Sequence, residues 1–298
     1  MSTINFRPEI TFWGTRGSVS TPGRLTDKYG GNTPCTSLQF DDGSMYIIDA
    51  GTGIRKLGNE LLETGVALKD LHLFLTHTHW DHIQGLPFFL PVYSGNTHLT
   101  IYGSPTKGGF LESILKGQMG ADYFPVDMNS LASHLDIVEM SDKSMMFGDL
   151  KVTWQEQHYH PGGCLRYCFE KDGYKVVSAS DVELNMMFAE GIEETAEVLE
   201  RRAEFSDFVH NTDLLIADGQ YTAEEYEAKK GWGHTSMELL CEVAYENGVK
   251  KLAITHHDPE RTDMMIDKLL TQIGPAYAKA SPSMQVFFAR EGMSLPLN

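Results

Sequence analysis

Short apolar runs alternate along the chain with longer amphipathic stretches, the pattern of strands separated by helices in an α/β or α+β fold. Ile10-Thr11-Phe12-Trp13, Thr36-Ser37-Leu38-Gln39-Phe40 and Met45-Tyr46-Ile47-Ile48 read as strands, the last two joined by a turn at Asp41-Asp42-Gly43-Ser44. Leu71-His72-Leu73-Phe74-Leu75-Thr76 is short, apolar and bounded by polar residues, as a buried strand is. Residues 151–157, 165–170 and 175–179 read as further strands. The last two are joined through Asp172-Gly173, a strong hairpin signal. Strands are also expected near 214–218, 251–255 and 284–289, with helices at 53–63, 105–116, 236–247 and 264–277. Residues 185–209 read as an acidic helical insertion with a solvated face, suited to a lid or a homodimer surface. No repeat, low-complexity tract or linker breaks the pattern, so one domain over 1–298 is expected.

Composition adds bounds. Hydrophobic residues make up 41% and charged residues 22%, ordinary for a globular protein long enough to bury a sizeable core. No apolar run reaches the roughly 18 residues of a membrane span. Residues 1–8 lack the basic-then-apolar order of a secretory signal. Cys35, Cys164, Cys168 and Cys241 show no Cys-x-x-Cys spacing, which suggests buried thiols in a reducing cytoplasm. The net charge of −17 argues against an extended nucleic-acid surface. An anionic substrate would need local positive charge, which bound divalent cations supply.

Candidate chemistry concentrates at strand ends. His77-Thr78-His79-Trp80-Asp81-His82 places three imidazoles and a carboxylate in one short stretch, the ligand types that Zn²⁺ prefers. If the preceding strand continues, His77 and His79 face the same side. The carboxyl end of a strand is where open α/β sheets bind ligands. Asp49 follows Ile47-Ile48 and precedes Gly51-Thr52-Gly53, where it could orient a ligand histidine or cap a helix. His158 and His160 offer two imidazoles of which one is needed, and His160 lies nearer the glycine turn. Asp181 closes Ser178-Ala179-Ser180, well placed to bridge two metals. In Ile254-Thr255-His256-His257 one imidazole is a candidate ligand and the other its neighbour. His234 precedes Thr235 and Glu238, spaced as a capping box, so it should sit before a helix N-terminus that attracts an anion. An imidazole there suits general acid work. Arg16 and Asn32 lie in glycine-rich loops and are candidates to touch a substrate phosphate. His72, His98, His134 and His210 stand alone, as packed or surface histidines do. Met145-Met146 and Met264-Met265 read as core filling.

The order His-x-His-x-Asp-His, then His, Asp and His, each at a strand end, resembles the metallo-β-lactamase superfamily over nearly the whole chain. That resemblance implies an α/β fold of the metallo-β-lactamase type, an αββα sandwich of two mixed β-sheets flanked by helices. It implies two divalent ions, Zn²⁺ foremost with Mn²⁺ or Fe²⁺ as alternatives. His77, His79 and His160 would hold the first, Asp81, His82 and His256 the second, with Asp181 bridging. The stretches Phe12-Trp13-Gly14-Thr15-Arg16-Gly17-Ser18 and Tyr29-Gly30-Gly31-Asn32-Thr33-Pro34-Cys35 are similar to the phosphodiesterase branch, and Gly233-His234-Thr235-Ser236 looks like that branch's catalytic acid. Leu165-Arg166-Tyr167 departs from the Gly-Tyr pair often found there. The implied reaction is attack of a metal-bound hydroxide on phosphorus, with Asp81 positioning the nucleophile or taking its proton and His234 protonating the leaving oxygen. A tRNase Z would need a long tRNA-gripping arm between His160 and Asp181, where only a tight hairpin fits. A small phosphodiester of the cyclic nucleotide or cyclic phosphate type is therefore expected. The alternative is a thioester or lactone hydrolase of the glyoxalase II or lactonase type, and beyond it a metal-binding sensor without catalysis.

Overall fold

The computed structural model describes residues 8–41, 43–63, 70–104, 110–141, 143–280 and 284–297. The chain forms two compact units. One comprises Met1–Gly23, Gly30–Ser141 and Arg290–Asn298, the other Arg24–Tyr29 and Asp142–Ala289.

The first unit is built on a seven-stranded mixed sheet. Its strands are β1 (Glu9–Gly14), β2 (Cys35–Gln39), β3 (Met45–Ile48), β4 (Asp70–Phe74), β5 (His98–Gly103) and β6 (His134–Glu139), with Ser294–Pro296 beside β1. Pairing is antiparallel from that terminal strand through β1, β2 and β3, then parallel through β4, β5 and β6. Every residue of β3 is buried, as the unbroken apolar run Met45-Tyr46-Ile47-Ile48 requires. Helix α1 (Ile54–Glu63) buries Ile54, Leu57 and Leu61 from one stripe. Also here are α2 (Trp80–Ile83) and α3 (Leu111–Gln118). The first half of the helix expected over 105–116, and Asp42 of the expected turn, lie outside the described residues.

The second unit repeats the plan. Strands β7 (Ser144–Phe147), β8 (Leu150–Gln157), β9 (Cys164–Lys171) and β10 (Tyr174–Ala179) pair antiparallel. Strands β11 (Leu214–Asp218), β12 (Lys251–Thr255) and β13 (Gln285–Phe288) continue parallel from β10. The β9–β10 turn has Asp172 at φ 52° and Gly173 at φ 78°, the left-handed pair expected of Asp-Gly. The helices are α4 (Asn185–Phe188), α5 (Ala196–Val209), α6 (Ala223–Tyr226), α7 (Met237–Glu246) and α8 (Asp263–Ala280).

Several expectations need correction. Residues 185–209 form two helices, because Gly191 at φ 82° breaks the run and Thr195 caps a new start through its Val198 amide. Nor is this segment only solvated: Met187, Phe205 and Val209 are buried in the unit's core. Strands β5, β6, β7 and the terminal strand were not expected from the pattern. The pairs Met145-Met146 and Met264-Met265 do not fill the core, since Met146 lies on β7 at 59% exposure and Met264 near the start of α8 at 78%. All four cysteines are buried and unbridged. Among the described residues no helix is long and apolar enough to cross a membrane.

One buried cation anchors α5. Arg166 is fully buried on β9, its guanidinium over the rings of Phe205 and Phe208 at 5.2 Å each. Its Nε donates to Gln155 Oε1 at 3.0 Å, and Nη2 donates to the same oxygen. Burial pulls this guanidinium down to about 10. Gln155→Ala is expected to destabilise the protein by about 1.5–3 kcal/mol, the worth of hydrogen bonds to a charged group. A urea titration measures it, and an unchanged midpoint would refute the anchoring role.

Candidate metal centre

In the first unit, the residues after β4 leave the sheet and turn into α2. His77 and His82 are buried, and their rings stand 4.2 Å apart; the His77 and His79 rings are 4.4 Å apart. Asp49, immediately after β3, reaches this cluster from the neighbouring strand. His82 Nδ1 donates to Asp49 Oδ2 at 2.8 Å, which turns His82 Nε2 towards Asp81 Oδ2 at 3.4 Å. Thr76 donates to Asp49 through its amide at 2.8 Å and its hydroxyl at 3.0 Å, and the Ser18 amide holds Asp81 Oδ2 at 2.8 Å. Burial raises the Asp49 carboxyl, while His82 and Thr76 pull it back. Close approach of these loops needs Gly51, where a Cβ would sit 2.6 Å from the Pro34 carbonyl.

In the second unit, the residues that follow β8, β10 and β12, the last residue of β11 and the loop before α7 supply the counterpart. His160, Asp181 and His234 bring ligand atoms within 4.8 Å of one another, and so do Asp218, His234 and His256. His256 Nε2 lies 3.4 Å and His160 Nε2 3.9 Å from Asp181 Oδ2. His160 Nδ1 donates to the Gly233 carbonyl at 3.1 Å, directing Nε2 to the carboxylate side. His234 Nδ1 donates to Asp218 Oδ2 at 2.7 Å, and its ring stacks on His256 at 4.9 Å.

Three of these residues are strained. Asp49, Asp181 and His256 hold φ of 61°, 56° and 59°. A left-handed conformation costs a residue with a Cβ roughly 1–2 kcal/mol, and such strain collects at functional sites.

Two positions escaped the sequence reading. Asp218 ends β11 before Gly219 in the same arrangement as Asp49 after β3, so the pattern was legible there. Glu183 left no such signal. Its buried carboxylate accepts from Tyr226 Oη at 2.6 Å, Gly231 N at 2.7 Å and Gly233 N at 2.8 Å, and so shapes the loop that carries His234.

Other candidates have partners within the protein. Arg16 is wholly buried, with Nε and Nη2 donating to the Gly30 carbonyl at 3.2 and 2.8 Å, so it is a structural cation rather than a phosphate contact. Asn32 Nδ2 donates to Glu291 Oε2 at 2.9 Å. His257 Nε2 donates to the Ala289 carbonyl at 2.8 Å and meets Tyr29 edge-on, while His158 Nε2 faces Glu204 at 3.3 Å. The capping box does not form. Ser236 is the N-cap of α7, Thr235 Oγ1 accepts from the Leu184 amide, and Glu238 accepts from the Ala223 amide. The Ser236 and Met237 amides donate to Asn185 and the Tyr221 carbonyl, so they are not offered to an anion. A true capping box stands instead at Thr222 and Glu225.

The donor chemistry of both units fits divalent transition ions. The ring nitrogens of His82 and His160 are each fixed on one side by a carboxylate or a carbonyl, the outer partner that orients ligand imidazoles.

The Beta-lactamase superfamily domain matches residues 45–257. The chain is 24% identical over 297 residues to the ribonuclease Z of Picrophilus torridus, covering 86% of this chain and 87% of that one. It is 26% identical over 274 residues to the ribonuclease Z of Haloferax volcanii, covering 83% of each. Among solved structures it is similar to the metallo-beta-lactamase fold protein YhfI of Bacillus subtilis, with TM-score 0.66, 19% identity, and coverage of 97% and 100%. Unliganded yeast PDE1 gives TM-score 0.68 at 17% identity over 98% and 99%. Human tRNase Z, short form, gives 0.65 at 17% identity over 97% and 99%. These likenesses in fold and sequence agree with the strand-end histidines and carboxylates: the chain belongs to the beta-lactamase superfamily.

Proposed function

We propose that the histidines and carboxylates of the two units serve one dinuclear centre that hydrolyses a small phosphodiester of the cyclic nucleotide or cyclic phosphate type. In this reading His77, His79 and His160 would hold one ion and Asp81, His82 and His256 the other, with Asp181 shared between them. Zn²⁺ suits this donor set, as do Mn²⁺ and Fe²⁺. Bound cations would neutralise the phosphoryl oxygens and acidify the attacking water. The chain's own residues do the rest. Asp49 and the Gly233 carbonyl fix the tautomers of His82 and His160. Asp81 would position the attacking water or take its proton. His234 gives its Nε2 proton to the leaving oxygen as the P–O bond breaks, and Asp218 keeps Nδ1–H in place. The products are a phosphomonoester and an alcohol.

The His234–Asp218 pair carries this reading, because an alkoxide leaving group needs an acid and a thiolate does not. The size of the substrate is argued from the β9–β10 hairpin, which fills the interval between His160 and Asp181 without an arm, and from the net charge of −17. A second reading, cleavage of RNA, is favoured by the ribonuclease Z relatives. Turnover of 2′,3′- and 3′,5′-cyclic nucleotides, a tRNA precursor, and a thioester, measured side by side on protein of known metal content, separates them. Preference for a cyclic nucleotide is expected. Preference for the tRNA precursor would replace the small substrate, and preference for the thioester would overturn the phosphodiesterase assignment.

A further inference from the structure

A second group of histidine and aspartate side chains lies on the first unit's sheet, away from the residues that follow the carboxyl end of β4. Asp70, His98 and His134 are the first residues of β4, β5 and β6, three adjacent parallel strands. In register, Asp70 pairs with His98 and His98 with His134, which puts all three in one row across the sheet. Asp136, two residues beyond His134, points to the same face.

The distances suit coordination. His98 Nε2 lies 2.8 Å and His134 Nε2 3.4 Å from Asp136 Oδ2, and all three ligand atoms fall within 4.8 Å of one another. Zn–ligand bonds of about 2.0–2.2 Å at tetrahedral angles separate ligand atoms by roughly 3.3–3.5 Å. Little movement would therefore seat an ion. The independent observation is Asp70, whose Oδ1 accepts from His98 Nδ1 at 3.2 Å. A carboxylate behind the far nitrogen is how metal-ligating imidazoles are oriented, and here it fixes Nε2 as the ligand atom. The imidazoles are 38% and 71% exposed, so an ion can reach them directly.

We propose that His98, His134 and Asp136 form a surface Zn²⁺ site with an open fourth position, distinct from the proposed catalytic ligands. The bound ion would tie the edge strand β6 to β5 where a lone ladder end frays most easily.

Equilibrium dialysis against graded Zn²⁺ followed by elemental analysis tests it. The His98→Ala/His134→Ala double variant should hold one Zn²⁺ per chain fewer than the parent, with phosphodiester turnover unchanged. Asp70→Asn should weaken that same equivalent about tenfold. Because the readout is a difference between two proteins, it does not depend on how many ions the catalytic residues take. If the double variant misfolds, His134→Ala alone removes one exposed ligand and gives the same loss. Equal Zn²⁺ content in parent and variants at saturation would overturn the site and leave a surface ion-pair cluster.

Discussion

His234→Ala is expected to lower kcat on a cyclic nucleotide about 10²–10⁴-fold, the usual worth of a positioned general acid. The loss should depend on the leaving group. Bis(p-nitrophenyl) phosphate releases a stable phenolate that needs no proton, so its turnover should fall by no more than about tenfold. Asp218→Asn should likewise slow turnover of the cyclic nucleotide more than that of bis(p-nitrophenyl) phosphate, since Asp218 Oδ2 holds His234 Nδ1 at 2.7 Å and sets which nitrogen carries the mobile proton. Metal content separates chemistry from assembly: His234→Ala should keep the parent's complement. Equal losses on both esters would mean that His234 shapes the site without donating a proton. Retained thioesterase alongside a lost phosphodiesterase activity would instead favour the thioester or lactone reading.

Gly233→Ala should be nearly as damaging, by another route. Gly233 sits at φ 88°, and a Cβ there would overlap His160 Nδ1 and stand 2.7 Å from Pro161 Cδ. The same residue accepts from His160 through its carbonyl and donates to Glu183 through its amide at 2.8 Å. A side chain would push His160 off its carbonyl and pull the loop from Glu183. Displacing a site residue by about 1 Å costs on the order of 10²-fold in rate, and that loss is expected here with a weakened hold on metal. Gly231→Ala is the matched control, for it shares the strain at φ 82° but has nothing within 4 Å of its Cβ. The clash argument therefore expects Gly231→Ala to retain metal and most turnover. Equal metal affinity in Gly233→Ala and the parent, measured by competition with a chelator, would show that His160 tolerates the shift.

Legibility in the sequence followed burial. Strands β3, β4, β10, β11 and β12 are apolar along most of their length because both faces are covered, so their runs announce themselves. Strands β6 and β7 have no fully buried residue, so no unbroken apolar run marks them. Within 185–209 the high charge masks the break at Gly191, which only its left-handed backbone reveals. Asp49 follows an apolar run, and only the 2.8 Å contact with His82 shows which side chain it holds. His98 and His134 looked solitary for a different reason: register across neighbouring strands is a relation between segments 36 residues apart in sequence, and no local pattern encodes it.

What the chain determines by itself is the kind of chemistry and where along each strand it sits. An imidazole or carboxylate after an apolar run has no packing reason to be there, and that local contradiction needs no coordinates to be seen. Tertiary structure alone decided the partners. It gave His234 to Asp218, three backbone and hydroxyl donors to Glu183, and Arg16 to a buried carbonyl instead of a ligand. Hydrogen bonds and ring contacts of this kind join residues that share no sequence neighbourhood, so they exist only once strand order and register have set the distances between them.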